Sequence, residues 1–180
     1  EIIVNCDNDD QSMKFQFEKE YPNATLFENP PVSKVAACNA NIDKVKDWDW
    51  CLLMSDDMKF VVKDWYSKIL KDIQSVFGNS LDFFAHFNDG FVGDKLPTMN
   101  ICGREYYERF RYLYHESYGS VSCDAENFWV SQMLGKHHYY DEIYFNHIHP
   151  SNLGFASDAT YRGNDRFGDA DTLNYLKRLK

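Results

Sequence analysis

Apolar residues fall into short unbroken runs that alternate with stretches of helical spacing, and this alternation predicts the architecture. Trp50-Cys51-Leu52-Leu53-Met54 is apolar throughout and bounded by polar residues, the pattern of a strand buried on both faces of a sheet. Further strands are predicted over 1–5, 24–27, 81–87 (ended by Asn88-Asp89-Gly90) and 142–145. Between them, Met13, Phe17 and Tyr21 space a helix over 12–21 that Pro22-Asn23 stops. Ser33 caps a short helix over 33–42 with Val35, Cys38 and Ile42 on one face. Trp65, Ile69, Ile73, Val76 and Phe77 form the apolar stripe of a helix over 64–78, stopped at Gly78-Asn79. Strands alternating with helices in this way predict an α/β domain with a mostly parallel central sheet flanked by helices.

The second half is less regular. A loop bearing Gly and Pro over 91–98 is of the kind that forms a lid or an acceptor rim. A helix leads from Gly103-Arg104 through Tyr106, Tyr107 and Phe110, another runs from Cys123-Asp124-Ala125-Glu126 to Gly135, and after a polar loop over 157–168 a closing helix spans 169–180.

Candidate chemistry collects at the strand ends. Asp56 and Asp57 follow the central strand, where open α/β folds bind ligands. Two neighbouring anions raise each other's pKa unless a cation accompanies them, and a divalent metal on carboxylates points to a phosphate-bearing substrate. A polar loop or a helix cap is the alternative. The opening strand repeats the pattern by running into Cys6-Asp7-Asn8-Asp9-Asp10. His147 and His149 stand two residues apart at a strand end, so in an extended chain both rings point the same way and can ligate a metal; ordinary structural histidines are the alternative. A mixed Asp/His set suits Mn²⁺ or Mg²⁺ better than a thiolate-loving metal. Asp124 and Glu126 lie in a first helical turn, where they either complement the helix dipole or supply a general base. Lys34 could meet a phosphate and Asn39 could read a base or ribose, against the alternative of a solvated surface.

Composition narrows the class. The 180 residues are most simply one domain, and the formal net charge of −9 disfavours a broad nucleic-acid footprint while leaving room for a local basic groove. Five cysteines, odd in number and without a CxxC pair, point to a reducing, cytoplasmic setting. No apolar run is long enough to span a bilayer. Aromatic residues make up 17% of the chain, enough for some rings to line a pocket, although the core is the better expectation for any one tyrosine.

Taken in order, Asp7, Ser33-Lys34, Asn39-Ala40-Asn41, Leu52-Leu53-Met54-Ser55-Asp56-Asp57, Cys123-Asp124-Ala125-Glu126 and His147-Ile148-His149-Pro150 resemble family-2-like glycosyltransferases. More narrowly, the chain is similar to the small phage- and bacterium-associated branch with the GT-A, nucleotide-diphospho-sugar transferase fold. The resemblance spans nearly the whole chain and is densest over 39–58 and 103–150. It implies one GT-A-like, Rossmann-type domain over 1–180, with a nucleotide-binding half at 1–100 and an acceptor-binding, metal-completing half at 101–180; the family's first strand would precede Glu1. It implies metal-dependent transfer of a sugar, with inversion, from a uridine diphosphate donor to a hydroxyl on a glycan or on a hydroxylated base in phage DNA.

By similarity, Asp7 would contact the base or ribose, with Asp10 and Lys34 lining the same pocket. Asp56 would hold the ribose or a metal-bound water, Asp57 would bind the metal, and His147 or His149 would complete its shell. Asp124 would be the catalytic base, with Glu126 as the substitute. Where the family's metal motif has an acid two positions before its second Asp, this chain has Met54 or Ser55, so the division of roles between Asp56 and Asp57 stays open. Two other readings remain: a nucleotidyltransferase, for which a glycine-rich basic triphosphate loop is missing from the N-terminal region, and a non-catalytic nucleotide-sugar-binding module.

Overall fold

The computed structural model describes every residue except 1, 10–13, 16, 18, 20, 21, 23, 31, 151–161 and 164. Two β-branched and aromatic runs, β1 (Ile3–Asp7) and β2 (Thr25–Asn29), pair in parallel with Ile3 opposite Thr25 and Asp7 opposite Asn29. Asn5 ties this pair to α1 (Lys34–Asn39) by donating from Nδ2 to the carbonyls of Ala37 and Ala40, both at 3.2 Å. Ser33 caps α1 as expected, its Oγ accepting the Ala36 N–H at 3.3 Å.

The main sheet contains β3 (Trp50–Leu53), β5 (Phe84–Phe87), β6 (Asn100–Gly103) and β7 (His137–Tyr140) in the order β3-β6-β5-β7. Between them in sequence, β4 (Met58–Phe60) pairs antiparallel with β8 (Phe145–His147) as a separate two-stranded sheet.

The expectation of a mostly parallel, Rossmann-type GT-A-like sheet is corrected here. The main sheet is mixed, because β6 runs antiparallel to both β3 and β5 while β5 and β7 are parallel. The cause lies after β5. A parallel neighbour needs a long crossover, usually helical, whereas this chain folds back through 88–99 with only a short 3₁₀ turn, Gly93–Lys95, and lays β6 in reverse beside the strand it has just left. Since β6 alone is reversed, β3, β5 and β7 share one direction and end on one edge. The strand expected over 142–145 is also displaced, into β7 and β8. Six of the ten residues of the helix expected over 12–21 lie outside the described residues, as does half of the loop expected over 157–168, whose described residues 162, 163 and 165 are helical and whose last residue opens the C-terminal helix.

Burial on both faces explains why short strands suffice. Ile69 and Ile73 of α2 (Trp65–Phe77) pack with Phe83, Ala85, Phe87, Met99 and Ile101 on one face. On the other, Phe84 and Cys102 meet Tyr106 and Tyr107 of α3 (Arg104–Phe110) together with Leu113. Each such side chain contributes about 1.5–3 kcal/mol through removal from water. A third cluster of Val35, Tyr114, Tyr118 and Cys123 joins α1 to α4 (Cys123–Met133). Most of the tyrosines in the second half therefore serve the core.

Gly103 marks a place where the backbones approach too closely for a side chain. A Cβ there would press into the Leu81 carbonyl and the Phe83 ring. Gly103→Ala is therefore expected to cost about 3 kcal/mol, read as a lower urea midpoint with an unchanged m-value.

The C-terminal helix α5 (Gly168–Arg178) docks through polar groups. The buried Asp171 carboxylate accepts the N–H groups of Gly119, Ser120 and Val121 at 2.9, 2.7 and 2.9 Å. Asn174 donates to Ser117 Oγ at 2.8 Å, and Arg178 donates from Nε and Nη2 to the two Glu126 oxygens at 2.6 and 2.7 Å. Asp171→Ala would leave three backbone donors without their acceptor and is expected to destabilise by about 3 kcal/mol, visible as faster amide exchange at 119–121. Among the described residues no helix is long and apolar enough to cross a membrane.

Candidate functional site

Several of the candidate residues lie near the edge on which β3, β5 and β7 end. The chain leaving β3 makes a turn closed by the Met58 N–H on the Ser55 carbonyl at 3.2 Å, with Asp56 and Asp57 at its centre. Asp56 points its surface to solvent, while Asp57 is partly buried. The difference follows from β4 and β8: with Met58 opposite His147, Asp57 is carried alongside β8. The Asp57 carbonyl accepts the Ile148 N–H at 2.7 Å, and its Oδ2 lies 3.1 Å from His147 Nε2. Ser55 Oγ donates to the other carboxylate oxygen.

Behind His147 stands a residue that the sequence did not single out. Asp89, two residues past the end of β5, is 0% exposed. Its Oδ1 accepts the N–H groups of Phe91, Val92 and Gly93 at 3.0, 2.7 and 3.4 Å, and its Oδ2 accepts the Thr98 hydroxyl at 2.9 Å. The same Oδ2 faces His147 Nδ1 at 3.7 Å, and the His147 N–H donates to the Asp89 carbonyl at 3.3 Å. Asp89 thus fixes both the 91–98 loop and the imidazole. An acid following a strand was the available signal, although Asn88-Asp89-Gly90 also reads as an ordinary turn.

Electrostatics make His147 the local cation. Burial alone would lower its pKa, but the carboxylates of Asp57, in hydrogen-bond contact, and of Asp89, at ion-pair distance, outweigh that and hold it at about 9. Burial pushes Asp89 the other way from its partners, and the nearby His147 charge with the bonds from the loop amides and Thr98 prevails, holding its carboxyl well below the usual range. His149, with its ring 5.3 Å from that of His147, is lowered by burial and then by the neighbouring imidazolium.

Lys34 and Asp124 complete the group. Lys34 has an exposed residue surface, yet its ammonium lies 5.9 Å over the ring of the buried Tyr114. Burial would lower its pKa; Asp124, with a smaller part from Asp57, raises it overall. Lys34 is placed by the docking of α1, whose Val35 N–H donates to Gly119 O at 3.2 Å. Asp124 sits in the first turn of α4, with Oδ1 on the Ala125 N–H at 2.9 Å.

The structure thus sets Asp57, His147 and His149 side by side, with Lys34 within electrostatic reach of Asp57, His149 and Asp124. It gives other work to three further candidates. The Asn39 side chain accepts the N–H groups of Leu113 and Tyr114 at 2.8 and 3.0 Å and donates to the Tyr114 carbonyl at 2.6 Å, which fastens α1 to that segment. Glu126 is 8% exposed, with its oxygens engaged by Arg178 and by the Tyr118 hydroxyl at 2.5 Å. Asp7 closes β1 opposite Asn29. Asp10 lies outside the described residues.

Among the described residues, no group of three His, Cys, Asp or Glu side chains is placed to hold a metal ion. The Asp57–His147 pair is spaced as part of a coordination shell would be, but with His147 charged its Nε2 proton fills that contact and has to leave before a metal can bind. Adjacent donors on an octahedral ion with bonds of ~2.1 Å stand ~3 Å apart, and Asp57 Oδ2 and His147 Nε2 are 3.1 Å apart. Such an ion would take two protein donors here and fill its remaining positions from phosphate and water, the habit of Mg²⁺ and Mn²⁺ in phosphate sites.

No protein-family model, curated protein or solved structure matches the chain.

Proposed function

We propose that this chain is a metal-dependent transferase that moves a sugar from a nucleoside diphosphate donor to a hydroxyl acceptor. One observation carries the reading: Asp57 and His147, ninety residues apart in sequence, meet at 3.1 Å on the edge where β3 and β5 end, within electrostatic reach of Lys34 and Asp124. Breaking a glycosidic bond to a nucleoside diphosphate leaves negative charge on the diphosphate, and preplaced positive groups stabilise it where it develops. Lys34 supplies one such charge. Asp57 and, once its Nε2 proton is released, His147 would hold a Mn²⁺ or Mg²⁺ ion, which when bound neutralises diphosphate oxygens. Asp124, a partly exposed carboxylate, is suited to take the proton from the acceptor hydroxyl. The 91–98 loop, fixed by Asp89 and with Phe91 exposed at 45%, is suited to rim the acceptor pocket. A uridine diphosphate donor and a cytoplasmic setting complete the proposal; Cys38, Cys51, Cys102 and Cys123 are all thiols.

A thermal-shift panel of nucleotide sugars with and without Mn²⁺ tests it, since a ligand that binds the native state raises Tm by mass action. The expected result is a Mn²⁺-dependent shift with one donor and release of its nucleoside diphosphate. Pyrophosphate release from a nucleoside triphosphate would replace this reading with nucleotidyl transfer, and no shift with any donor would remove it. Asp124→Asn is expected to keep the donor-induced shift while transfer falls by about 100-fold or more. Full transfer by that variant would take the base role from Asp124.

A further inference from the structure

Helix α5 is amphipathic in the reverse of the usual sense. Asp171, Asn174 and Arg178, spaced three and then four residues apart, all turn inward to hydrogen-bond the 117–121 segment and Glu126. Tyr175 lies on the same side, in contact with Trp129. The opposite side exposes Leu173 at 59%, Leu176 at 53% and, on its flank, Leu179 at 49%. Scattered exposed leucines are ordinary. A row of them on the outer face of a helix docked by its polar side is the pattern of a surface awaiting a partner.

The charges around that row identify the partner. At 100° per residue, Asp169, Leu173, Leu176 and Lys180 lie along one outward line, and Leu179 keeps helical backbone angles, φ −71° and ψ −10°, so the turn continues to its neighbour. The order along the line is acid, leucine, leucine, base. Reversed, it reads base, leucine, leucine, acid, which is its own complement. A two-fold axis crossing the helix midway between Leu173 and Leu176 sets Leu173 against the copy's Leu176 and Asp169 against the copy's Lys180, twice over. Such a patch is self-complementary in the way a closed two-fold interface requires. A parallel pairing would instead oppose Asp169 to Asp169.

We propose that the outer face of α5 is a homodimer interface, in which the α5 helices of two copies of this chain pack antiparallel through Leu173 and Leu176, with Asp169–Lys180 ion pairs at both ends. The inner face of the same helix holds the 117–121 segment that leads into α4 and Asp124, so pairing would also steady the backbone that positions Lys34 and Asp124. The proposal stands independently of the reaction assigned above.

Sedimentation equilibrium over a concentration series tests it. The wild-type chain is expected to dimerise, and Leu176→Glu, at an exposed position, to weaken the dimer by about tenfold or more while keeping the wild-type far-UV circular dichroism. Asp169→Lys and Lys180→Asp, each alone, place like charges opposite each other at both ends and should each weaken the dimer by about threefold; combined, they should restore it. Rescue by the double swap supports the antiparallel register specifically. A wild-type chain that stays monomeric throughout, a dimer indifferent to Leu176→Glu, or a double swap no better than the single ones would each overturn the proposal.

Discussion

Replacing Asp57 with Asn is expected to lower metal-stimulated transfer by about 100-fold or more while leaving the fold in place. The substitution keeps the size of the side chain and leaves the Asp57 carbonyl on the Ile148 N–H at 2.7 Å. What it removes is the carboxylate that faces His147 Nε2 at 3.1 Å and accepts from Ser55. The donor-dependent rise in Tm with Mn²⁺ should disappear, and calorimetry should show weakened Mn²⁺ binding. Wild-type turnover in this variant would take Asp57 out of the mechanism.

The same variant has a pH signature that does not depend on turnover. His147 titrates at about 9 in the folded protein against an ordinary 6.5, so folding stabilises its charged form. That contribution, about 3 kcal/mol, is fully present below pH 6.5 and is lost as pH rises through 9. Asn at position 57 removes the nearer of the two carboxylates that raise it. Wild type should therefore be more stable than Asp57→Asn at pH 6, and the two should converge above pH 9. In the variant, the His147 imidazole resonance should titrate at lower pH.

Different parts of the fold were legible in the sequence for different physical reasons. Helix α2 was clear because its own stripe repeats at helical spacing, and Ser33 because a cap acts on the residues that follow it. Strands β4, β6 and β7 gave no comparable signal. They are three or four residues long and carry Lys59, Asn100 and the pair His137-His138, and they are strands because of what lies beside them. Missing β6 meant missing the one reversed strand, which is why the sheet was expected to be mostly parallel.

The site divided in the same way. The positions of Asp57 and His147 followed from local signals, an acid after a buried strand and two histidines at extended spacing. For Glu126 and Asn39 the deciding partners are remote: Arg178 is 52 residues away and Tyr114 is 75. An acid in the first turn of a helix looks the same in sequence whether it faces a substrate or an arginine. Tertiary contact separates Asp124 from Glu126, leaving the first beside Lys34 and enclosing the second.

The largest loss of stability is expected at Asp89. Its carboxylate gathers three loop N–H groups and the Thr98 hydroxyl while facing His147, all at 0% exposure. Asp89→Ala would leave these donors buried without an acceptor and the imidazolium with one carboxylate fewer, a loss of about 4 kcal/mol, or roughly 8–16 °C in Tm for a chain of this size. Asp89→Asn retains one oxygen that can accept from the loop amides but loses the charge, and should fall between Ala and wild type. Because folding lowers the Asp89 pKa from 3.8, its stabilisation is present above that pH and is lost as pH falls toward the depressed folded value. The stability gap between wild type and Asp89→Asn should therefore be widest near neutral pH and narrow progressively below pH 4. If Asp89→Ala instead melts with the wild type, the 91–98 loop and the His147 ring are held by other contacts, and the rigid rim assigned to the acceptor pocket has no anchor.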